Sequence, residues 1–120
     1  LNSPKLMAEN LALKAHPNVW FAGQITGFEG YMESAACGLL AARSILAALE
    51  GRTMTPPPAD TMCGALIRYI TSENKDFQPM GSNMGILPPL ETHIRDKRER
   101  YAALAERAVA DMKAWLEAQQ

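Results

Sequence analysis

The sequence is short of most residues that announce a function. Its two cysteines, Cys37 and Cys63, form no CxxC pair and have no histidine at ligand spacing. That excludes a disulfide framework and a zinc site, and it fits free thiols in a reduced compartment. The two histidines, His16 and His93, have no partners at useful spacing, so no metal is expected. Neither sign of charge dominates: 12 Lys and Arg face 13 Asp and Glu, for a net charge of −1. No global field therefore draws the chain to nucleic acid or to an anionic membrane, and any such binding must be local. No uninterrupted apolar run reaches the ~20 residues of a membrane span, and no signal peptide opens the chain, so a cytoplasmic location away from membranes is expected. An initiator methionine is also missing, which reads as a piece cut from something longer.

What is present is enough for a core. The 120 residues are 48% hydrophobic and 21% charged, the balance of one ordinary soluble domain. Residues 1–16 show turn chemistry at Asn2, Ser3 and Pro4 and no clean period, so they read as irregular. Val19 to Ala22 is short, β-branched and aromatic, and ends at Gly23, which reads as a buried strand. Such a strand needs neighbours, and no second convincing one follows, so its sheet is expected elsewhere.

Tyr31 to Leu49 has helical spacing, with Ala35, Leu39, Ala42, Leu46 and Leu49 as its apolar face and Gly51 as the stop. Pro56, Pro57 and Pro58 then force an extended connector. Asp60 or Thr61 caps a second helix to about Thr71, with Met62, Ala65, Leu66, Tyr69 and Ile70 inward. Residues 74–90, rich in Gly, Pro, Asn and Met, are too apolar for a solvated linker and are expected to lie packed over a surface. A long helix over about 91–119 places Ile94, Tyr101, Leu104, Ala108, Met112 and Trp115 on one stripe, with Trp115 in the core or at an interface.

The segment FAGQITGFEGYMESAACGLLAA, Phe21 to Ala42, places Gly23, Gln24, Gly27 and Gly30 in a bend that feeds a helix starting at Tyr31 and Met32. Free N–H groups and the positive end of the helix dipole converge there, so the bend suits an anion or a carbonyl-rich ring. Glycines let a flat ligand approach the backbone. The spacing GxxxGxxG is not the dinucleotide fingerprint GxGxxG, and glycines after a strand are equally a packing device. Tyr31 by pattern is a buried ring with a paired hydroxyl. Glu29 and Glu33 favour the dipole.

NVWFAGQITGFEGYMESAACGLLAA resembles the carboxy-terminal flavin motif of the folate- and FAD-dependent tRNA (uracil-5-)-methyltransferases, relatives of the glucose-inhibited-division-type tRNA-modifying flavoproteins. LNSPKLM, LIRYITSENKDFQPM and NMGILPPL agree in the same order, so the resemblance covers residues 1 to about 90. It implies the carboxy-terminal part of an α/β, Rossmann-like FAD-binding domain, mainly α when isolated, with one or two strand remnants and a helical tail. Residues 1–51 would be the strand–loop–helix of that domain, and 52–120 the connector, short helix, apolar loop and long helix.

The activity implied is transfer of a one-carbon unit from methylenetetrahydrofolate to carbon 5 of a T-loop uridine in tRNA, with FAD and NAD(P)H. Gly23 and Gln24 would border the flavin, and Gly30, Tyr31 and Met32 would face its pyrimidine end. The glycine-rich ADP-binding unit and the family's upstream cysteines are missing. No catalytic residue is therefore assigned here, Cys37 and Cys63 are read as structural, and the 120 residues alone are expected to be inactive and free of FAD.

Arg95, Lys97, Arg98 and Arg100 form a basic cluster that could meet tRNA phosphate. Six basic and six acidic residues alternate over 91–120, however, and Asp96 with Arg100 and Arg107 with Asp111 stand four apart as on a solvated helix. The expected partners are tRNA, the remainder of the same polypeptide and, for the isolated piece, a second copy. A stand-alone helical interaction module and a wobble-uridine-modifying flavoprotein are the competing readings.

Overall fold

The structure is a computed structural model that describes residues 2–119; Leu1, where the expectation of a cut chain begins, and Gln120 lie outside the described residues. It is mainly helical, and among the described residues no regular strand forms. Helix α1 is a single turn, Ser3–Leu6, helped by Pro4 at its start. The chain then doubles back twice. Lys14 N–H donates to Leu6 O (2.8 Å), Ala8 N–H to Ala12 O (2.9 Å), and Leu13 N–H to Val19 O (2.9 Å). Met7 bridges Leu13, and Ala12 bridges Trp20, both antiparallel. The buried strand expected over Val19 to Ala22 does not form: only an isolated bridge at Trp20 ties the stretch to the segment read as irregular, Val19 and Ala22 are exposed, and it is Met7, Leu11 and Ala12 that are buried. Alanine, leucine and lysine carry no β signal, so pairing imposed from outside the segment was invisible in it.

Helix α2, Tyr31–Leu49, has the expected bounds, and Gly51 follows it with φ 78°. Its orientation does not follow expectation. Cys37, Leu40, Ala41, Ser44 and Ala47 face the core, whereas Ala35, Leu39, Ala42, Leu46 and Leu49 are exposed. The helix is apolar on most of its sides, so its polar residues mark no single outer face. Two adjacent faces then satisfy the same periodicity, and spacing cannot choose between them. By length and composition α2 is also apolar enough to cross a membrane, contrary to the reading of uninterrupted runs, because alanine and leucine outweigh Glu33 and Arg43 over eighteen residues.

Helix α3, Met62–Thr71, is the centre of the fold: Leu66, Ile67 and Ile70 are buried against α1, α2 and the loop after it. Thr61 caps it, accepting from Gly64 N–H at 3.0 Å. The proline connector is clamped beneath α3. Thr61 Oγ1 donates to Pro58 O (2.6 Å), and Arg68 Nη1 to Pro57 O (2.7 Å). Trp115 Nε1 donates to Thr55 O at 3.1 Å from the far helix.

Helix α4 runs from Lys97 to Ala118, six residues shorter at its start than the sequence suggests. Asp96 sets that start by accepting from Glu99 N–H at 3.1 Å, leaving Ile94 in the approach. Leu104 and Trp115 are buried, with Tyr101, Ala108 and Met112 half-buried beside them, so the stripe is as expected and Trp115 is core. Arg107 does not pair with Asp111 along the helix. It reaches Asp60 (3.5 Å) and donates to the carbonyls of Pro88 and Pro89, tying α4 to the connector and to the loop. Burial, and then the nearby Asp111 carboxyl, push the Asp60 carboxyl above the ordinary aspartate range.

Candidate functional site

The bend is braced from within. Gly23 leads a 3₁₀ turn, Gln24–Thr26, and the buried Thr26 hydroxyl donates back to Gly23 O at 2.7 Å. Ser3, wholly buried on α1, donates to Thr26 O at 2.5 Å, and Cys37 Sγ lies 3.9 Å from the Thr26 hydroxyl. One polar knot therefore joins α1, the bend and α2. Phe28 anchors the bend in the core. The loop expected to pack over a surface lands here: Met80 N–H donates to Gly27 O (2.8 Å), Glu29 N–H donates to Met80 O (3.0 Å), and the Phe77 ring lies against Gly27. Phe77 in turn stacks obliquely on Tyr69, with centroids 5.7 Å apart.

Gly30 enters α2 at φ 110°, ψ 153°, and Gly23 stands at φ 85°, ψ −155°. Both values lie in a region held almost only by glycine. The site of a Gly23 Cβ is 3.9 Å from Ser34 Cβ, so the turn abuts the first turn of the helix. Gly23, Gln24, Gly30, Tyr31 and Met32 therefore line one open edge, with Gln24 exposed, Met32 80% exposed and Tyr31 97% exposed. The Tyr31 ring is in solvent and not buried as its pattern suggested, because it sits at the first helical position with no element across from it. Among the described residues no acceptor meets the amides of Tyr31 or Met32.

The helix end is nonetheless not bare. Glu33 folds back across Gly30, accepts from its own backbone N–H, and accepts from Ser82 Oγ at 2.8 Å. Chiefly through the Ser82 hydroxyl, and secondarily through its own amide, the carboxyl is held below the usual glutamate range. A glutamate at the third helical position is a legible capping signal, whereas Ser82, 49 residues away, carries none. Because the folded value is the lower one, Glu33 adds stability above the ordinary glutamate range. That contribution is lost as pH falls through the lowered value. In Ser82→Ala the Glu33 carboxyl should titrate closer to the ordinary range, read from its side-chain carbon shift in an NMR pH titration.

Neither thiol sits where its thiolate is favoured. Burial pushes both upward, Cys37 being wholly enclosed and Cys63 half-buried. Among the described residues no group of three His, Cys, Asp or Glu is placed to hold a metal. Arg95, just before the Asp96 cap, and Lys97 and Arg98 in the first turn of α4 are exposed, away from the bend in sequence. Lys97 and Arg100 lie 5.4 and 5.6 Å from the centroid of the Tyr101 ring.

Among known proteins, the family model described as "Glucose inhibited division protein A" matches residues 1–53. More narrowly, the chain is similar over nearly its whole length to proteins named methylenetetrahydrofolate–tRNA-(uracil-5-)-methyltransferase TrmFO. Identity is 48% over 97% of the chain for those of Cereibacter sphaeroides and Paracoccus denitrificans, and 49% over 98% for that of Thermotoga maritima. The chain spans about 27% of the length of each of these relatives. The resemblance read from four segments therefore holds, and it extends past residue 90 through the last helix.

Proposed function

We propose that this chain is the carboxy-terminal part of a flavin-dependent tRNA (uracil-5-)-methyltransferase, with residues 1–51 closing an α/β FAD-binding domain and 52–120 forming its helical tail. The observation that carries the reading is likeness at 48–49% identity across nearly every residue to enzymes of that name. The whole enzyme would act on tRNA with methylenetetrahydrofolate and NAD(P)H, in the cytoplasm. The uracil-5 names of those relatives also favour this reading over the wobble-uridine one.

The bend fits the ring of FAD. Two unpaired amides at a helix amino terminus, next to two glycines in side-chain-free conformations, suit the O2 and N1 edge of an isoalloxazine. When bound, the flavin would supply the redox chemistry of the methyl transfer. The Tyr31 and Met32 amides would hold and orient the ring edge, where the helix end favours negative charge by roughly 0.3–2 kcal/mol. Gly23 and Gln24 would border it through backbone. Glu33, an anion at the same helix end, is held by Ser82, which leaves the Tyr31 and Met32 amides free. Reactive cysteines would come from elsewhere in the polypeptide, since burial raises both thiols, the wholly enclosed Cys37 and the half-buried Cys63 alike.

The exposed stripe of α2 would be covered by the remainder of the polypeptide and not by lipid, because its other face packs on α3. In the intact polypeptide Gly30→Val should lower flavin content, read from visible absorbance per protein, by at least about tenfold. It should abolish methyl transfer to tRNA and also lower the melting temperature, because a side chain at φ 110° costs about 1–3 kcal/mol. Unchanged flavin content in that variant would overturn the assignment of the bend.

A further inference from the structure

The geometry points to a second site: a cleft of about 510 Å³ between α1, the doubled-back segment and the end of α3, which binds the phosphate groups of a nucleotide or nucleotide chain. Three lysines from three separate segments line it, Lys5 on α1, Lys14 on the returning chain and Lys75 after α3, against a single acid, Glu73. All three are exposed, and none is held by an ion pair among the described residues. Their backbone mounts are fixed. Lys5 belongs to the turn that Ser3 pins to Thr26, and Lys14 N–H donates to Leu6 O at 2.8 Å. Next to Lys75, Asn74 Oδ1 accepts from Asp76 N–H at 3.0 Å.

Three lysines against one glutamate around a single cavity, in a chain whose net charge is −1, concentrate positive potential at one place. Lys5 and Lys14 also rim an adjoining hollow of about 330 Å³ whose walls are Leu6, Leu13 and Phe21. Phosphates against the lysines would leave an attached base facing this apolar wall, and Phe21 provides a ring for stacking. The chemistry is phosphate recognition, and two sources supply it: the RNA backbone, which rests on the function proposed above, or a small nucleotide such as NADPH.

The test is the triple variant Lys5→Gln, Lys14→Gln, Lys75→Gln, which removes charge from exposed positions outside the bend. Binding of a short RNA hairpin and, separately, of NADPH is titrated at several salt concentrations, with Lys97→Gln, Arg98→Gln as the control. If RNA is the source, the triple variant binds the hairpin at least about tenfold more weakly, and the slope of log affinity against log salt falls by about 2 to 3, one lost contact for each lysine. If a nucleotide is the source, NADPH affinity falls by a similar factor and RNA binding is unchanged. Affinities for both ligands within about twofold of the parent would overturn the site. Because neither titration reads flavin or methyl transfer, the cleft can stand while the bend fails, and the reverse.

Discussion

Gly64→Ala is expected to destabilise the chain by about 2–3 kcal/mol, a fall in melting temperature on the order of 10 °C. In an open helix the same change stabilises by roughly 0.5–1 kcal/mol, since glycine gives up more chain entropy than alanine on folding. The sign reverses because α3 rests on the proline connector at this residue, and a Cβ there would overlap the backbone carbonyls of Pro57 and Pro58. Backbone cannot rotate aside as a side chain can. The same carbonyls already serve Arg68 and Thr61, so any shift of the connector also breaks those hydrogen bonds. Gly38→Ala is the matched comparison: it is helical, with nothing within 4 Å of the new methyl, and should raise stability by the ordinary helix increment. Chemical denaturation of both variants measures the pair, and a stabilised Gly64→Ala would show that α3 does not seat on the prolines.

The second large effect concerns the outer face of α2. Leu39 is 71% exposed, Leu46 56% and Leu49 81%, a row of large apolar groups that a free surface rarely carries together. The isolated chain should therefore self-associate, and Leu39→Glu with Leu46→Glu should return it to a monomer by light scattering. Its unfolding free energy should stay within about 0.5 kcal/mol, because the new carboxylates point into water. In the intact polypeptide the same pair should instead prevent folding or assembly, since two unpaired carboxylates would be trapped beneath a covering element, at several kcal/mol. A monomeric parent chain, together with an intact protein that tolerates both glutamates, would sink the idea that this face is covered.

Which parts of the molecule were legible follows from how far each signal acts along the chain. Helix α2 ended where Gly51 said it would, and α3 began at the cap that Thr61 provides, because caps act within one turn. The glycine spacing around Tyr31 and Met32 located the open edge, and four short segments pointed to the relatives the chain is similar to. Missed were the partners that arrive from a distance: Ser82 on Glu33, Ser3 on Thr26, and Arg107 on Asp60 and the proline carbonyls. Arg107 is instructive, since Asp111 stood at helical spacing and was passed over for groups in the connector and loop.

By itself the sequence determined where helices start and stop, that one bend leaves a helix amino terminus open, and which relatives share its pattern, since all of these depend on residues within a few positions of one another. Only the tertiary structure decided which face of α2 turns inward, why Gly64 admits no methyl, and that Glu33 guards the helix end. Those outcomes are set by what packs against each residue, and a helix apolar on most of its sides holds no record of the side its neighbours take.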